Sequence, residues 1–478
     1  MAVRHASKAT RSRYPMLLAK TAGVDRAIVA KALIGDPRIG IDTGANRNAL
    51  LLEGAGEAIV MCDDDVRPRF APAPGSPARA AISAPARRAP PNPTAAVRPT
   101  GSPDNAPAPG TAPHFEDTLT LDGVRVRSGS PVTPFFSDAG SPLVRDEEWR
   151  SLDPISLHES LLGVDVAQAV LDEEELSVAR GEAQDGLDGR LLGRLVRRGG
   201  RVVITQVGSA GDHGMGGSFG LMLLRGEARE RLMRSEEAFL AAFEQRRVMQ
   251  CAEEATIAET DQCMSMHLGI DARELVPPFV FAGRNSDGVM GTVLRACVDD
   301  AFFGFLPWAV EHAPETERRA SFEAEIASVG SAGVNELLRL AIGGLAEARG
   351  AGTAAQLASL GRAIERLGTQ ETEARATMRE QAVRALGRRL VQIEQLLDEH
   401  RGAPDTWARA MERFADALRA AIVRDDLHVP AELAAAHGAD AGWQLFLAYL
   451  CDVGQLFANW PALFEAAQEL SPEATPQG

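Results

Sequence analysis

The sequence predicts an α/β fold, a sheet flanked by helices, followed by a mainly α-helical C-terminal bundle. Three observations predict it. Two short apolar runs, Ala58 to Cys62 and Arg201 to Thr205, have the length and composition of buried strands. Stretches with apolar residues at helical spacing precede both runs. From Thr316 onward the apolar pattern is helical almost throughout.

Leu17, Leu18, Val24, Ile28, Val29 and Leu33 fall at helical spacing within 15–33, and Gly35-Asp36-Pro37 stops the pattern. One short helix is expected there, after an unstructured stretch over 1–14. A second helix is expected from Asn46 to Leu52, and Gly54-Ala55-Gly56 then leads into the strand Ala58 to Cys62. Asp63-Asp64-Asp65 follow at once. Between Val66 and Pro113 the composition changes abruptly, with 13 of the 28 prolines and six arginines against one aspartate. Such a segment supplies no core, so 67–113 is expected to be a disordered, basic linker.

Order resumes near Phe115. The alternation in Leu119-Thr120-Leu121-Asp122-Gly123-Val124-Arg125-Val126 around a central Asp-Gly predicts a hairpin. Helices are expected at 155–171 and 172–198, then the strand from Arg201, a flexible glycine-rich loop from Gly208 to Gly217, and a long charged helix over 226–250. That loop lacks Gly-Lys-Ser/Thr, and Phe219 occupies the last place of a Gly-x-Gly-x-x-Gly counted from Gly214, which argues against a P-loop or a Rossmann loop. Val383, Leu386, Leu390, Ile393 and Leu397 alternate by three and four, and 404–422 and 441–469 have the same character. A helical bundle over 316–470 is the simplest arrangement. With 478 residues the chain exceeds the roughly 250–300 at which one core stops growing, so several parts are expected.

Charge and cysteine usage exclude some functions. The 50 basic against 66 acidic residues give a net charge of −16, which repels a phosphate backbone and argues against nucleic-acid binding. Five scattered cysteines without a CxxC suggest neither a disulfide framework nor a zinc knuckle, and a reducing cytoplasm fits them best. No run approaches the roughly 20 apolar residues that span a bilayer.

Three carboxylates at a strand end repel one another unless a cation compensates them. Hard oxygen donors suit Mg²⁺ or Mn²⁺, and the commonest shared substrate is a diphosphate. In an extended chain Asp63 and Asp65 share one side, so Asp65 is expected on the metal, Asp63 on metal-bound water or a ribose, and Asp64 to add charge. A haloacid-dehalogenase pattern fails, because Arg67 stands where Thr or Val is needed. Prenyl-diphosphate chemistry wants Asp-Asp-x-x-Asp on a helix, and neither feature is present. A solvated acidic turn is the plain alternative for the triplet taken alone.

The stretch Gly44-Ala45-Asn46-Arg47-Asn48, a helix, an apolar strand and Asp63-Asp64-Asp65 resembles nucleotide-sugar-dependent glycosyltransferases of the A-type fold (family 2-like). The resemblance covers about 15–66 and 200–315. It implies a glycosyltransferase A-like mixed sheet flanked by helices. Arg47, Asn48, Asp63 and Asp64 then face the nucleotide-sugar donor, and Asp63 and Asp65 form the metal motif for Mn²⁺ or Mg²⁺. In the block Ala282-Gly283-Arg284-Asn285-Ser286-Asp287-Gly288, Asp287 takes the place of the catalytic base, though an aspartate there can also be a helix N-cap. His312 completes the metal site, or is an ordinary packed histidine. Asp212, His213 and Arg284 are acceptor-side candidates for an unknown acceptor.

The implied parts are a partial donor-binding region over 15–66, an acceptor-side remainder over 114–315, and a helical domain over 316–470 that could bind a protein partner. Only 62 residues precede Asp63, so the nucleotide-binding region is expected to be shortened. An inactive glycosyltransferase-like scaffold is therefore the second reading, and metal-dependent phosphotransfer or phosphate hydrolysis the third.

Overall fold

A computed structural model of the protein describes residues 8–74, 76, 118–121, 124–136, 144–167, 189–212, 214, 217–316, 319–345, 352–400 and 405–470. Helices α1 (Lys8–Ala22), α2 (Arg26–Ile34) and α3 (Thr43–Glu53) lead into strands β1 (Ala58–Cys62) and β2 (Val66–Pro72). Strands β3 (Thr118–Leu121), β4 (Val124–Ser128) and β5 (Val132–Phe135) follow, then helices α4 (Pro154–Glu159) and α5 (Gly189–Arg198). After β6 (Arg201–Asp212) come three short helices, α6 (Phe219–Met222), α7 (Gly226–Leu232) and α8 (Glu236–Gln245). Strands β7 (Arg247–Ala252), β8 (Thr256–Glu259) and β9 (His267–Asp271) precede helix α9 (Ser286–Cys297) and strand β10 (Ala301–His312). The C-terminal helices are α10 (Phe322–Ala327), α11 (Val334–Leu345), α12 (Thr353–Thr369), α13 (Glu371–Glu399), α14 (Asp405–Ile422), α15 (Ala431–His437) and α16 (Ala439–Leu470).

Ten strands form one mixed sheet. Its spine is the parallel pair β6 and β10, each twelve residues long and buried over most of its length. Each spine strand changes partner along its course. On one side β6 pairs first with β9 and then with β7; on the other, β10 pairs first with β8 and then with β2. Strand β1 continues beyond β9, and the β3–β4 hairpin continues beyond β8. The C-terminal helices share one continuous apolar core with the helices on the sheet, from Leu18 and Leu51 through Val289 to Trp443 and Phe457. Among the described residues no helix is long and apolar enough to cross a membrane.

The mixed α/β sheet with a helical C-terminal region agrees with the pattern read from the sequence, and so does the two-residue β3–β4 connection. Several local expectations are corrected. Helix begins at Lys8, inside the stretch expected to be unstructured, and the expected single helix over 15–33 is two. Gly23, with φ of 67°, breaks the first, and the Asp25 carboxylate caps the second by accepting from the Ala27 N–H. The expected linker starts later, because Arg67 and Arg69 belong to β2 and pair with Glu311 across the strand. Residues 77–113 lie outside the described part. Helix α4 ends at Glu159, and only 189–198 of the next expected helix is described. The long helix over 226–250 is two short helices and a strand.

The start of the glycine-rich segment is strand. Gly211, with φ of 123°, lies so close to β10 that a Cβ there would stand 2.3 Å from the His312 carbonyl oxygen. Its glycine answers a strand contact.

Strand β1 is the expected apolar run, yet it ends the strand order as an edge, with Ala58 and Cys62 exposed. It is not buried on both faces. Beneath the neighbouring strands, His158 and His267 form a buried pair. The His158 Nδ1 lies 2.7 Å from Thr205 Oγ1 and its Nε2 2.8 Å from His267 Nδ1. A neutral ring donates through one nitrogen and accepts through the other, so the bond between the rings needs one of the two facing nitrogens unprotonated, and burial favours the neutral form of both. Burial, helped by the neighbouring His267, pulls the His158 pKa down to about 3, and burial alone pulls His267 to about 4.

Both folded-state values lie below the unfolded 6.5, so the contribution is complete above pH 6.5 and is lost as pH falls toward 4. Together the two groups add a slope of up to roughly 2.7 kcal/mol per pH unit between those limits. Urea unfolding of the parent protein and of His267→Gln at pH 7, 6 and 5 checks this. The variant is expected to lose stability along a shallower slope.

Candidate functional site

Helix α3 brings Arg47 and Asn48 inward because its glycine permits a close approach. A Cβ at Gly44 would lie 1.8 Å from the Val280 carbonyl oxygen. The helix starts at Thr43, so Arg47 and Asn48 sit past its first turn and do not open it. Asn48 is fully buried. Its Nδ2 donates to the carbonyls of Ala32 at 3.1 Å and Phe279 at 2.8 Å, and its Oδ1 accepts from the Phe279 N–H at 2.8 Å. These bonds consume the amide, which corrects the expectation that Asn48 faces a donor; it joins α2, α3 and the 279 segment instead.

Arg47 points the other way. Its Nη2 donates to both carboxylate oxygens of Asp63, at 2.6 and 2.8 Å, and its Nη1 donates to Ser286 Oγ at 3.0 Å. The Asp63 N–H donates to the Met266 carbonyl at 3.0 Å, which fixes where the triplet leaves β1. Asp64 and Asp65 then form a turn, so the triplet does not continue extended. Asp64 is exposed.

Asp287 is the second residue of α9, whose N-cap is Asn285. It is therefore not the N-cap. Its Oδ2 accepts from the Ser265 Oγ–H at 2.8 Å and the Ser265 N–H at 3.2 Å, and its Oδ1 from the Gly288 N–H at 3.0 Å.

The register between β2 and β10 sets Val66 opposite His312, which brings Asp65 to the same strand end. The Ala313 N–H donates to the Asp65 carbonyl at 2.9 Å. His312 Nε2 lies 3.0 Å from Asp65 Oδ2, and its Nδ1 2.6 Å from the Asp212 carbonyl oxygen. The Asp212 carboxylate turns to Arg246, accepting from Nε at 3.1 Å, and also accepts from the Gly214 N–H at 2.7 Å. Asp212 thus orients His312 through its backbone and does not offer its carboxylate to solvent as an acceptor-side group. Arg284 is exposed, with its carbonyl held by Asn335 Nδ2 at 2.7 Å. His213 lies outside the described residues.

The electrostatics follow from this packing. Burial raises the Asp63 pKa; Arg47 opposes the rise, and the charges of Asp287 and Asp65 add to it. Burial pushes Arg47 down, but the charges of Asp63 and Asp287 outweigh it and hold the guanidinium above its ordinary value. Two carboxylates, Asp63 and Asp287, therefore act on one guanidinium, with Asp65 adding its charge to Asp63, and the site keeps an excess of negative charge. Burial also pushes His312 down, but its bonds to Asp65 and to the Asp212 carbonyl, with their charges, leave its pKa raised above 6.5.

These contacts draw Arg47, Asp63, Asp65, Asp287 and His312 from four separate parts of the chain into one neighbourhood. Ser265 and Ser286, which hold Asp287 and Arg47, carry no sequence signal beyond the need of buried charges for donors and acceptors. Among the described residues, no group of three or more His, Cys, Asp and Glu side chains is arranged to hold a metal ion. Asp63 is closed off by Arg47, which corrects its expected place on a metal. Asp65 and His312 lie beside it, hydrogen-bonded to each other. No protein-family description, curated protein or solved structure matches the chain.

The raised His312 pKa adds stability that is complete below pH 6.5 and fades as pH rises through its folded value. In Asp65→Asn the histidine is expected to titrate lower by NMR. The stability gap between parent and variant is expected to narrow from pH 6 to pH 9.

Proposed function

We propose that the protein transfers a sugar from a nucleoside-diphosphate donor, assisted by Mn²⁺ or Mg²⁺ at the turn Asp63-Asp64-Asp65. The observation that carries this reading is the convergence of Arg47, Asp63 and Asp287 beside the Asp65–His312 pair, the residues that the sequence resemblance groups in one site. The five free cysteines and the acidic balance suit a cytoplasmic protein.

A divalent cation held by Asp65 and His312 would neutralise charge on the donor diphosphate. Asp287, aligned by the Ser265 hydroxyl and N–H, is the carboxylate that takes the acceptor proton. Arg47 stays charged throughout and keeps Asp63 in place beside it. A second reading, a scaffold that binds a nucleotide without turnover, is favoured by one contact: Arg47 already occupies both oxygens of Asp63.

Thermal unfolding with Mn²⁺ and a panel of nucleoside diphosphates and nucleotide sugars tests both. A rise that needs metal and nucleotide together is expected for the parent protein and is expected to vanish in Asp65→Ala. Release of nucleoside diphosphate from the preferred nucleotide sugar is expected to fall by about 10² or more in Asp287→Asn. Binding without release would favour the scaffold, release of inorganic phosphate a hydrolase, and no rise with any nucleotide would remove the donor site.

A further inference from the structure

Helix α1 carries two sets of apolar side chains, and only one of them belongs to the core. Pro15, Leu18 and Ala19 are buried, and Ala22 packs against the same core as Leu18 and Ala19. Met16 and Leu17 turn away from it, 60% and 51% exposed. Among the described residues five large apolar side chains are exposed, and these are the two that stand side by side in the chain. Lys20 and Thr21, one turn further on, are exposed with them. Position 13, an arginine, falls on the same stripe as Lys20, two helical turns earlier. Charge along this helix is as uneven as polarity. Residues 1–24 hold Arg4, Lys8, Arg11, Arg13 and Lys20 and no acidic residue, so all 66 aspartates and glutamates lie beyond Val24.

A chain with a net charge of −16 is repelled by an anionic surface except where its basic residues gather locally. Here the local excess coincides with apolar side chains that folding leaves in water. Basic residues beside exposed apolar ones on one helix face are the pattern of a helix lying in the interface of an anionic bilayer. The basic groups are drawn to the lipid headgroups over a Debye length, and the apolar side chains enter the acyl boundary. We infer that the outward face of α1 docks on a membrane surface rich in anionic lipid, with Met16 and Leu17 inserted and Lys20 at the headgroups. A nucleic acid would satisfy the charge but gains nothing from Met16 and Leu17, which offer no ring for a base to stack on. The docking is peripheral, since no helix among the described residues is long and apolar enough to cross the bilayer. It uses none of the residues of the candidate site, so it stands whether or not the proposed transfer does.

The test is co-sedimentation of the full-length protein with vesicles of phosphatidylcholine alone or of phosphatidylcholine with phosphatidylserine, at low and at physiological ionic strength. Binding to the phosphatidylserine vesicles only, weakened by salt, is expected. The double variant Met16→Ser, Leu17→Ser is expected to bind them about tenfold more weakly or worse. Lys20→Gln is expected to bind roughly fivefold more weakly. Because these side chains are exposed, the unfolding temperature of each variant is expected to match the parent's, which separates loss of docking from loss of fold. No binding of the parent protein at low salt would overturn the inference, and so would equal binding to both kinds of vesicle. Binding that falls in Lys20→Gln but is unchanged in the double variant would mean a general polyanion contact and would overturn it too.

Discussion

The parallel pairing of β6 with β10 is the contact on which both the sheet and the candidate site depend. Each strand is long enough to serve two sets of neighbours, and the irregularity in their shared register between Phe305 and Ala309 marks where the spine passes from one set to the other. A slip of one residue would turn every buried side chain of β10 to the opposite face. It would also move His312 away from the Asp212 carbonyl and from Asp65, contacts that lie at the carboxyl ends of the two strands. The same pairing therefore orders the core and sets the spacing of the site.

At those strand ends the chain gathers more negative charge than it compensates. Asp63 has Arg47, and His312 donates through Nδ1 to a carbonyl and, when protonated, through Nε2 to Asp65, while the hydrogen bonds that Asp287 accepts among the described residues come from neutral donors. Hydrogen bonds from the Ser265 hydroxyl and from backbone N–H groups stabilise a carboxylate without adding positive charge. The residual field is what a cation or a cationic group would relieve. It is also what makes the Arg47–Asp63 bond costly to break, since removing either partner leaves a half-buried charge without its counter-charge.

Periodicity and turn chemistry reveal much of the architecture but little of its environment. The β3–β4 hairpin, the strand at 201–205 and the helices near 405–422 and 439–470 follow from local pattern, because local pattern is what determines them. The sheet neighbours of β1 are invisible to it: an apolar run reads the same at an edge as in the middle, and only pairing with β9 on one side alone makes it an edge. Gly208 to Gly217 reads as a loop because glycine commonly marks loops, whereas Gly211 answers to the backbone of β10. The site residues were legible as types and spacings. Their partners were not, since Arg47 and Asn48 are adjacent in sequence yet one turns to Asp63 and the other spends its whole amide on buried backbone.

The C-terminal helices bear directly on the site through the segment that precedes α9. Trp460 Nε1 donates to the Val276 carbonyl at 2.8 Å. Asn335 Nδ2 donates to the carbonyls of Ala282 and Arg284, at 2.9 and 2.7 Å, and the Tyr449 hydroxyl donates its one proton to Asn335 Oδ1 at 2.7 Å, with its oxygen 3.1 Å from the Ala282 carbonyl oxygen. With Asn48 holding Phe279 from the opposite side, the backbone from Val276 to Arg284 is pinned by buried side chains from α3, α11 and α16. Buried polar groups of this kind fix one geometry, because any shift leaves them without partners. Asp287 begins three residues beyond that pinned stretch, so its position relative to Arg47 is determined as much by α16 as by the sheet. The helical region is thus part of the support of the site, and a chain lacking it would lose the alignment of Asp287 along with its share of the core.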